Sequence, residues 1–308
     1  LEYFVAVGGA GSIALAAEKV NVSSPSISAA IAQLEREFGL RLFVRSHARG
    51  LALTPAGRQF MDQARAVLKA ADGLKHLAGD ISGTVRGPLS IGCLLTFAQL
   101  MVPQVRRCFE GRHPQVRVSQ FELHQQEIFT KIRTSEIDIA LTYDLEIPDD
   151  LTFVALAELP PYLLVGAGHP LADRADVSVQ ELATYPFVLL DLPISNSYFM
   201  SLFRAAGVKP LIAERTRDMA VMRGLVANGF GYSIANIRPQ NDLSPDGKPL
   251  RYIPLSGQNR PLSMGALLAQ GSENVLTVRA FIDLCRSLIS DGAMPGIGPH
   301  PVAEKRPA

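Results

Sequence analysis

Apolar positions between residues 13 and 38 fall at helical spacing in two short runs separated by a polar turn. Ile13, Ala16, Ala17 and Val20 make one stripe. Ile27, Ile31, Leu34 and Phe38, spaced four, three and four apart, make the second. Ser12 and Ser23 stand where hydroxyls cap helix starts. Pro25 lies in a first turn, where its missing N–H costs nothing, and Gly39 follows as a stop. The pattern predicts helices from Ser12 to about Lys19 and from Ser23 to Gly39, joined through Asn21-Val22-Ser23. Residues 1–10 are also apolar at helical spacing, so the element is expected to begin a few residues upstream of Leu1.

Two short strands, Arg41–Val44 and Leu51–Leu53, are predicted around a His47-Ala48-Arg49-Gly50 turn, with Thr54 capping a long helix from Pro55. In that helix Phe60, Ala64, Val67, Ala71, Leu74 and Ala78 alternate steps of four and three. Such a heptad seam, about three repeats long, suits a dimerising coiled coil, the alternative being a helix packed on its own domain.

At about 100° per residue, the face opposite Ile27 and Ile31 carries Pro25, Ala29, Ala32, Gln33 and Arg36, flanked by Ser26 and Ser28. Small hydrogen-bonding side chains let a helix approach base edges, and helix, tight turn, helix and hairpin is the order of a winged helix-turn-helix. Candidate DNA contacts are Ser23, Ser24, Pro25, Ser26, Ser28, Ala29 and Gln33 on the helix, Arg45 and Arg49 on the wing, and Thr54 at the corner. Ala29 would meet a thymine methyl and Gln33 an adenine, while the arginines would reach phosphates or the minor groove. The competing reading is a small helical hairpin whose serines only keep it soluble.

Past the Ser82–Pro88 linker the pattern changes to strand–helix alternation. Strands are predicted over Leu89–Leu94, Val116–Leu123 and Ile137–Tyr143, with helices over Phe97–Gly111 and Gln125–Thr134. A second unit follows from about Pro160, with strands Tyr162–Gly166, Phe187–Leu190, Leu211–Arg215 and Tyr232–Ala235 and helices Ser197–Ala206 and Met219–Asn228. Leu262–Ala269 and a helix over Glu273–Ile289 return to the first unit. The tail from Asp291 to Ala308 is expected to be disordered.

Composition narrows the class. A chain of 308 residues suggests two or three domains. It is 47% hydrophobic and 19% charged, and no apolar run reaches the roughly 18 residues of a membrane span. Cys93, Cys108 and Cys285 lack a paired spacing, which suits a reducing cytoplasm. Net charge is +1, but residues 1–87 carry ten Lys and Arg against seven Asp and Glu, and the remainder 20 against 22. A mildly basic front and a mildly acidic body suit a DNA-binding head.

Catalysis finds little support. No G-x-S-x-G, no H-E-x-x-H and no His/Cys/Asp cluster with metal spacing occurs, so no catalytic residue, metal or cofactor is expected. Gly9-Ala10-Gly11-Ser12-Ile13-Ala14 fits the G-x-G-x-x-A form of a dinucleotide-binding turn. That chemistry also needs a strand before the turn and a second strand ending in an acid about 20 residues on, where this chain offers a helix. An NAD-linked enzyme therefore stays a minor rival.

Ala16-Ala17-Glu18, Val22-Ser23, Pro25, Ser28, Ile31, Leu34-Glu35, Gly39, Leu42-Phe43, Arg45 and Leu53-Thr54-Pro55-Ala56-Gly57 resemble the head of a LysR-type transcriptional regulator. The resemblance departs at Ser24, where the family often has Gln, at Ala29, where it has Arg or Lys, and at Leu15, where it is polar or basic. Looser markers extend it through the body: Pro103, His113-Pro114, Glu136-Ile137-Asp138-Ile139-Ala140, His169-Pro170-Leu171 and Gly229-Phe230-Gly231.

The resemblance implies a winged helix-turn-helix over residues 1–57, a dimerising linker helix and hinge over 58–87, and an α/β effector domain over 88–290. That domain would be similar to periplasmic binding proteins, with lobe one at 88–158 and 267–290 and lobe two at 159–266. It implies a dimer through Phe60, Ala64, Val67, Ala71 and Leu74, assembling into tetramers, and double-stranded DNA as partner. A small polar metabolite or carboxylate is expected between the lobes, near Thr96, Gln125, Ser195, Asn196, Ser197 and Met219, where Tyr198, Phe199 and Met219 would admit an aromatic portion. Cys93 near the crevice reads first as a small buried hydrophobe and second as an oxidant sensor. The remaining rival is a small-molecule binding protein whose head has lost DNA affinity, which Ser24 and Ala29 leave open.

Overall fold

Helix α1 (Glu2–Ala10) ends on Gly11, whose φ of 64° is the left-handed turn glycine adopts without strain. Ser12 then caps α2 (Ile13–Val20) by accepting from the Leu15 N–H. Ser23 accepts from the Ser26 N–H to cap α3 (Ser24–Phe38), and Gly39 closes that helix at φ 64°. The computed structural model describes residues 1–46 and 50–297, which divide into one unit built mainly from Leu1–Gly87 and another from Pro88 onward. Because Phe4 to Gly9 are helical, the glycine turn joins two helices rather than a strand and a helix. That geometry gives a pyrophosphate no cradle.

Val7, Ala16, Ala17, Ile27 and Ile31 pack together beneath the three helices. Val7, Ala16 and Ile27 are fully buried, and the two alanines permit the close approach their size predicts. Strands β1 (Phe43–Ser46) and β2 (Gly50–Leu53) pair antiparallel, Phe43 opposite Leu53. The first strand starts two residues later than its apolar pattern suggests. Glu35 Oε1 accepts from the N–H groups of both Leu42 (2.7 Å) and Phe43 (3.1 Å), which binds the segment before the strand to α3 instead of to a neighbouring strand. The His47–Arg49 turn lies outside the described residues.

Thr54 organises the corner into α4 (Pro55–Ser82). Its hydroxyl donates to the Arg41 carbonyl at 2.7 Å and accepts from the Gly57 N–H at 2.9 Å, while its own N–H donates to the Leu42 carbonyl. Gly57 is required here for space: a Cβ would stand 2.1 Å from the Leu42 carbonyl oxygen. The Thr-Pro-Ala-Gly motif is thus a cap and a close backbone crossing in one.

The second unit opens with β3 (Gly87–Leu94), α5 (Leu95–Leu100), α6 (Val102–Arg112), β4 (Val116–Leu123), α7 (Gln125–Arg133), β5 (Ile139–Tyr143) and β6 (Leu151–Leu159). The single helix expected over Phe97–Gly111 breaks at Met101, because Pro103 has no N–H to give and crowds the preceding turn. Lobe two contains β7 (Tyr162–Gly166), β8 (Val177–Ser178), α8 (Val179–Leu182), β9 (Pro186–Leu190), α9 (Ser195–Ala205), β10 (Leu211–Thr216), α10 (Met219–Ala227), β11 (Ser233–Ala235) and β12 (Leu250–Ser256). Then β13 (Leu262–Ala269) and α11 (Leu276–Ser290) return to lobe one.

Lobe one is a five-stranded sheet ordered β4-β3-β5-β13-β6, with β3 parallel to β5 and β13 antiparallel to both its neighbours. Lobe two has a β11-β7-β12-β8 sheet and a parallel β9–β10 pair, joined by a bridge between Phe187 and Tyr232. All of β13 pairs within lobe one, so that lobe resumes at Leu262 rather than at 267. Disorder expected from Asp291 also starts too early: Met294 is buried, and Gln104 Nε2 donates to the Ala293 carbonyl at 2.9 Å. Residues 298–308 lie outside the described chain.

Candidate DNA-reading face and ligand crevice

Ile27 and Ile31 turn α3's apolar face into the head, and this burial decides what the opposite face offers. Ser23, Pro25, Ser26, Ser28, Ala29, Gln33 and Arg36 are exposed, and Ser24 is half-buried. The Ser23 and Ser26 hydroxyls bond each other at 2.8 Å. Ser28, Ala29 and Gln33 form the outward part of the face. Thr54's hydroxyl is held between Arg41 and Gly57, so its main work is the corner. Arg45 lies in β1, and Arg49 falls outside the described residues.

The seam expected along α4 separates into two parts. Ala64 and Met61 are buried against Phe4 and Leu42, and Phe60 packs its ring edge-on to Phe4 and Phe38 at centroid distances of 5.4 and 4.9 Å. Ala64 therefore serves the head's own core, a correction to its assignment as a dimer contact, and half-buried Phe60 packs one side of its ring there. Val67, Leu74 and Ile81 are 54, 67 and 79% exposed, and Ala71 is exposed with them. The heptad spacing runs through both parts because one stripe first meets its own domain and then leaves it.

Between the lobes lies a crevice lined by Thr96 and Leu95 from α5, His124 and Gln125 at the start of α7, and Tyr143 at the end of β5. Facing them are Ser195 and Phe199 of α9, Met219 of α10, and Asn236 and Ile237 after β11. Its volume is about 40 Å³, room for about three waters. Leucines supply most of the remaining wall, and among the described residues no lysine, arginine, aspartate or glutamate lines it.

The expected ligand contacts divide accordingly. Thr96, Gln125, Ser195 and Met219 reach the crevice. Asn196 and Ser197 are not part of its lining: Asn196 Nδ2 donates to Asp191 Oδ1 at 2.6 Å, and Ser197 is exposed. Gln125 reaches the wall but is already satisfied. Its Nε2 donates to the Tyr143 and Leu145 carbonyls (3.1 and 3.0 Å), and its Oε1 accepts from the Thr142 hydroxyl. Asp218 spends its carboxylate on the Ala220 and Val221 N–H groups as the α10 cap.

Asn236 was not legible as a site residue. It is 4% exposed, and its Nδ2 donates to the Leu159 carbonyl (2.8 Å) and to the Tyr198 hydroxyl (2.9 Å). The Tyr198 hydroxyl gives its proton to the Arg260 carbonyl at 2.8 Å, and so it can only accept from Asn236. That chain fixes which way the amide faces. Asn236 Oδ1 is left buried with no hydrogen-bond partner. Only the loop position after β11, which no periodicity marks, brings it to the crevice.

Burial, with a smaller contribution from Glu122, pushes the Cys93 thiol up to about 12, and burial alone does the same for Cys285. Neither is a thiolate near neutral pH, which removes the basis for a Cys93 oxidant sensor. Among the described residues no group of three or more His, Cys, Asp or Glu is arranged to hold a metal.

Residues 1–58 match the family described as bacterial regulatory helix-turn-helix protein, lysR family, and residues 82–290 match the LysR substrate binding domain. The chain belongs to the LysR family of transcriptional regulators. Its structure is similar to that of HinK, a LysR family regulator from Pseudomonas aeruginosa, with a TM-score of 0.64 and 31% identity over 93% of this chain and 96% of that one. In sequence it is 30% identical to the Hca operon transcriptional activator HcaR of Escherichia coli, over 76% of this chain and 79% of HcaR. It is also 30% identical to CysB of Haemophilus influenzae, over 71% and 68%. As a LysR-type regulator, the chain joins a DNA-binding head to an effector-binding domain of two α/β lobes that modulates its action.

Proposed function

We propose that α3 of this LysR-type regulator enters the major groove with Ser28, Ala29 and Gln33 toward base edges, while Arg45 and Arg49 of the wing hold phosphates. The observation that carries this reading is the exposed face of small side chains on a helix capped at both ends and buried on its other side. Ser24, Pro25 and Ser26 sit at the helix start, where backbone N–H groups favour a phosphate. Ser23 and Thr54 support the fold around that contact.

Two chains pair through the exposed α4 stripe of Val67, Ala71, Leu74 and Ile81, so that two heads read two half-sites, and dimers pair into tetramers. Three unpaired cysteines suit work in the cytoplasm. The effector enters the interlobe crevice against Thr96, Ser195 and Met219 and shifts the regulator by binding one lobe arrangement better than another.

A mobility-shift assay on the DNA upstream of the gene tests the face. Ala29→Glu places a carboxylate against phosphates and base acceptors, and the expected loss of affinity is at least about tenfold, from a repulsion of about 1.4 kcal/mol or more. An unchanged shift with Ala29→Glu removes α3 from the interface.

A further inference from the structure

Resting on the crevice as the effector site, we infer that its ligand is a neutral molecule with an apolar body, whose O–H or N–H donates to Asn236 Oδ1. The carboxylate expected from the resemblance has no lysine or arginine to meet among the described lining residues. The walls are instead leucines, Phe199, Met219 and the Tyr143 ring, surfaces that reward an apolar or aromatic skeleton.

Asn236 supplies the polar selection. Its amide cannot turn over to satisfy its oxygen, because Nδ2 is committed to two acceptors, the Leu159 carbonyl and a Tyr198 hydroxyl whose own proton goes to Arg260. The orphaned Oδ1 of a side chain 4% exposed at the crevice wall therefore asks for a donor. An anion would bring another acceptor to an acceptor. A donor gains a hydrogen bond there that an isostere without the proton cannot make, and that difference separates close analogues.

Asn236 bonds one of the two segments where the chain crosses between lobes and reaches the other through Tyr198. Leu159 ends β6, and Arg260, two residues before β13, pairs its guanidinium with Asp144 at 2.6 Å. A ligand held on Oδ1 thus sits one side chain from the first crossing, and two, through Tyr198, from the second.

The test compares phenol, toluene and benzoate, three ligands of similar size, on the full chain and on Asn236→Ala by ligand-observed magnetic resonance. Phenol is expected to bind about tenfold more tightly than toluene, with benzoate weakest. Asn236→Ala should erase the phenol advantage without weakening toluene. If that variant fails to fold, the ligand series on the unaltered chain carries the test alone.

Equal binding of phenol and toluene, insensitive to Asn236→Ala, would mean that water satisfies Oδ1, and it overturns the inference. Benzoate binding best overturns it too, pointing to exposed His124 at the crevice rim while leaving the effector crevice in place. No saturation of phenol by about 10 mM also overturns it. The mobility shift on DNA is measured without these ligands, so regulator and ligand readings fail separately.

Discussion

Two backbone N–H groups, those of Leu42 and Phe43, end on one carboxylate oxygen of Glu35. Glu35→Ala strands both, and part-buried donors left without partners should cost the head about 2 kcal/mol. A lower melting transition for the head, with the effector unit's transition unmoved, is the expected readout. At this scale much was legible: Ser12, Ser23, Thr54 and Gly39 cap and stop the helices as their residue types predict. Glu35 and Asn236 were not, because each acts through a tertiary partner that no local spacing reveals. The cysteines give a chemical check. Cys93 and Cys285 are held as neutral thiols up to about 12, so iodoacetamide at neutral pH should label Cys108 and spare both. Their folded values lie above the ordinary 9.0. Their contribution to stability is therefore full below pH 9.0 and lost as pH rises toward about 12. A melting temperature that held steady across that window would contradict their burial.

Helix α4 shows what a hydrophobic period can and cannot say. Alternating steps of three and four locate a stripe but not what covers it, since a helix packed on its own domain and one in a coiled coil share the pattern. The stripe leaves its own domain between Ala64, which is buried, and Val67, which is 54% exposed. Leu74→Glu should therefore shift the sedimentation coefficient toward a monomer while leaving the head folded. Phe60→Ala should lower head stability, by about 2 kcal/mol for a half-buried ring, with association unchanged. The reverse pattern would return the seam to the front of the helix. Other elements were missed for physical reasons. In β6 the first and last residues are buried and the seven between them are not, so no clean alternation marks it. In β12 Pro254 reads as a breaker inside the strand. The two-residue β8 is too short to carry a period.

At the scale of the whole molecule, a DNA-binding head and a two-lobed α/β unit follow from the switch in period at the Ser82–Pro88 linker, which the sequence displays openly. What the crevice accepts was less legible. The resemblance implied a small polar metabolite or a carboxylate, but Asn196 spends its amide within the fold, and the crevice wall is largely apolar. The central claim is that α3's small-residue face reads a particular DNA sequence. It is tested most directly by fluorescence anisotropy on the gene's own upstream fragment and on a scrambled fragment of equal length, at one salt concentration. The wild-type chain should prefer its own fragment by at least about 10³-fold. Gln33→Ala should lower that preference about tenfold while leaving the scrambled fragment's affinity unchanged. Equal affinity for both fragments, or a Gln33→Ala chain that keeps the full preference, would contradict the account.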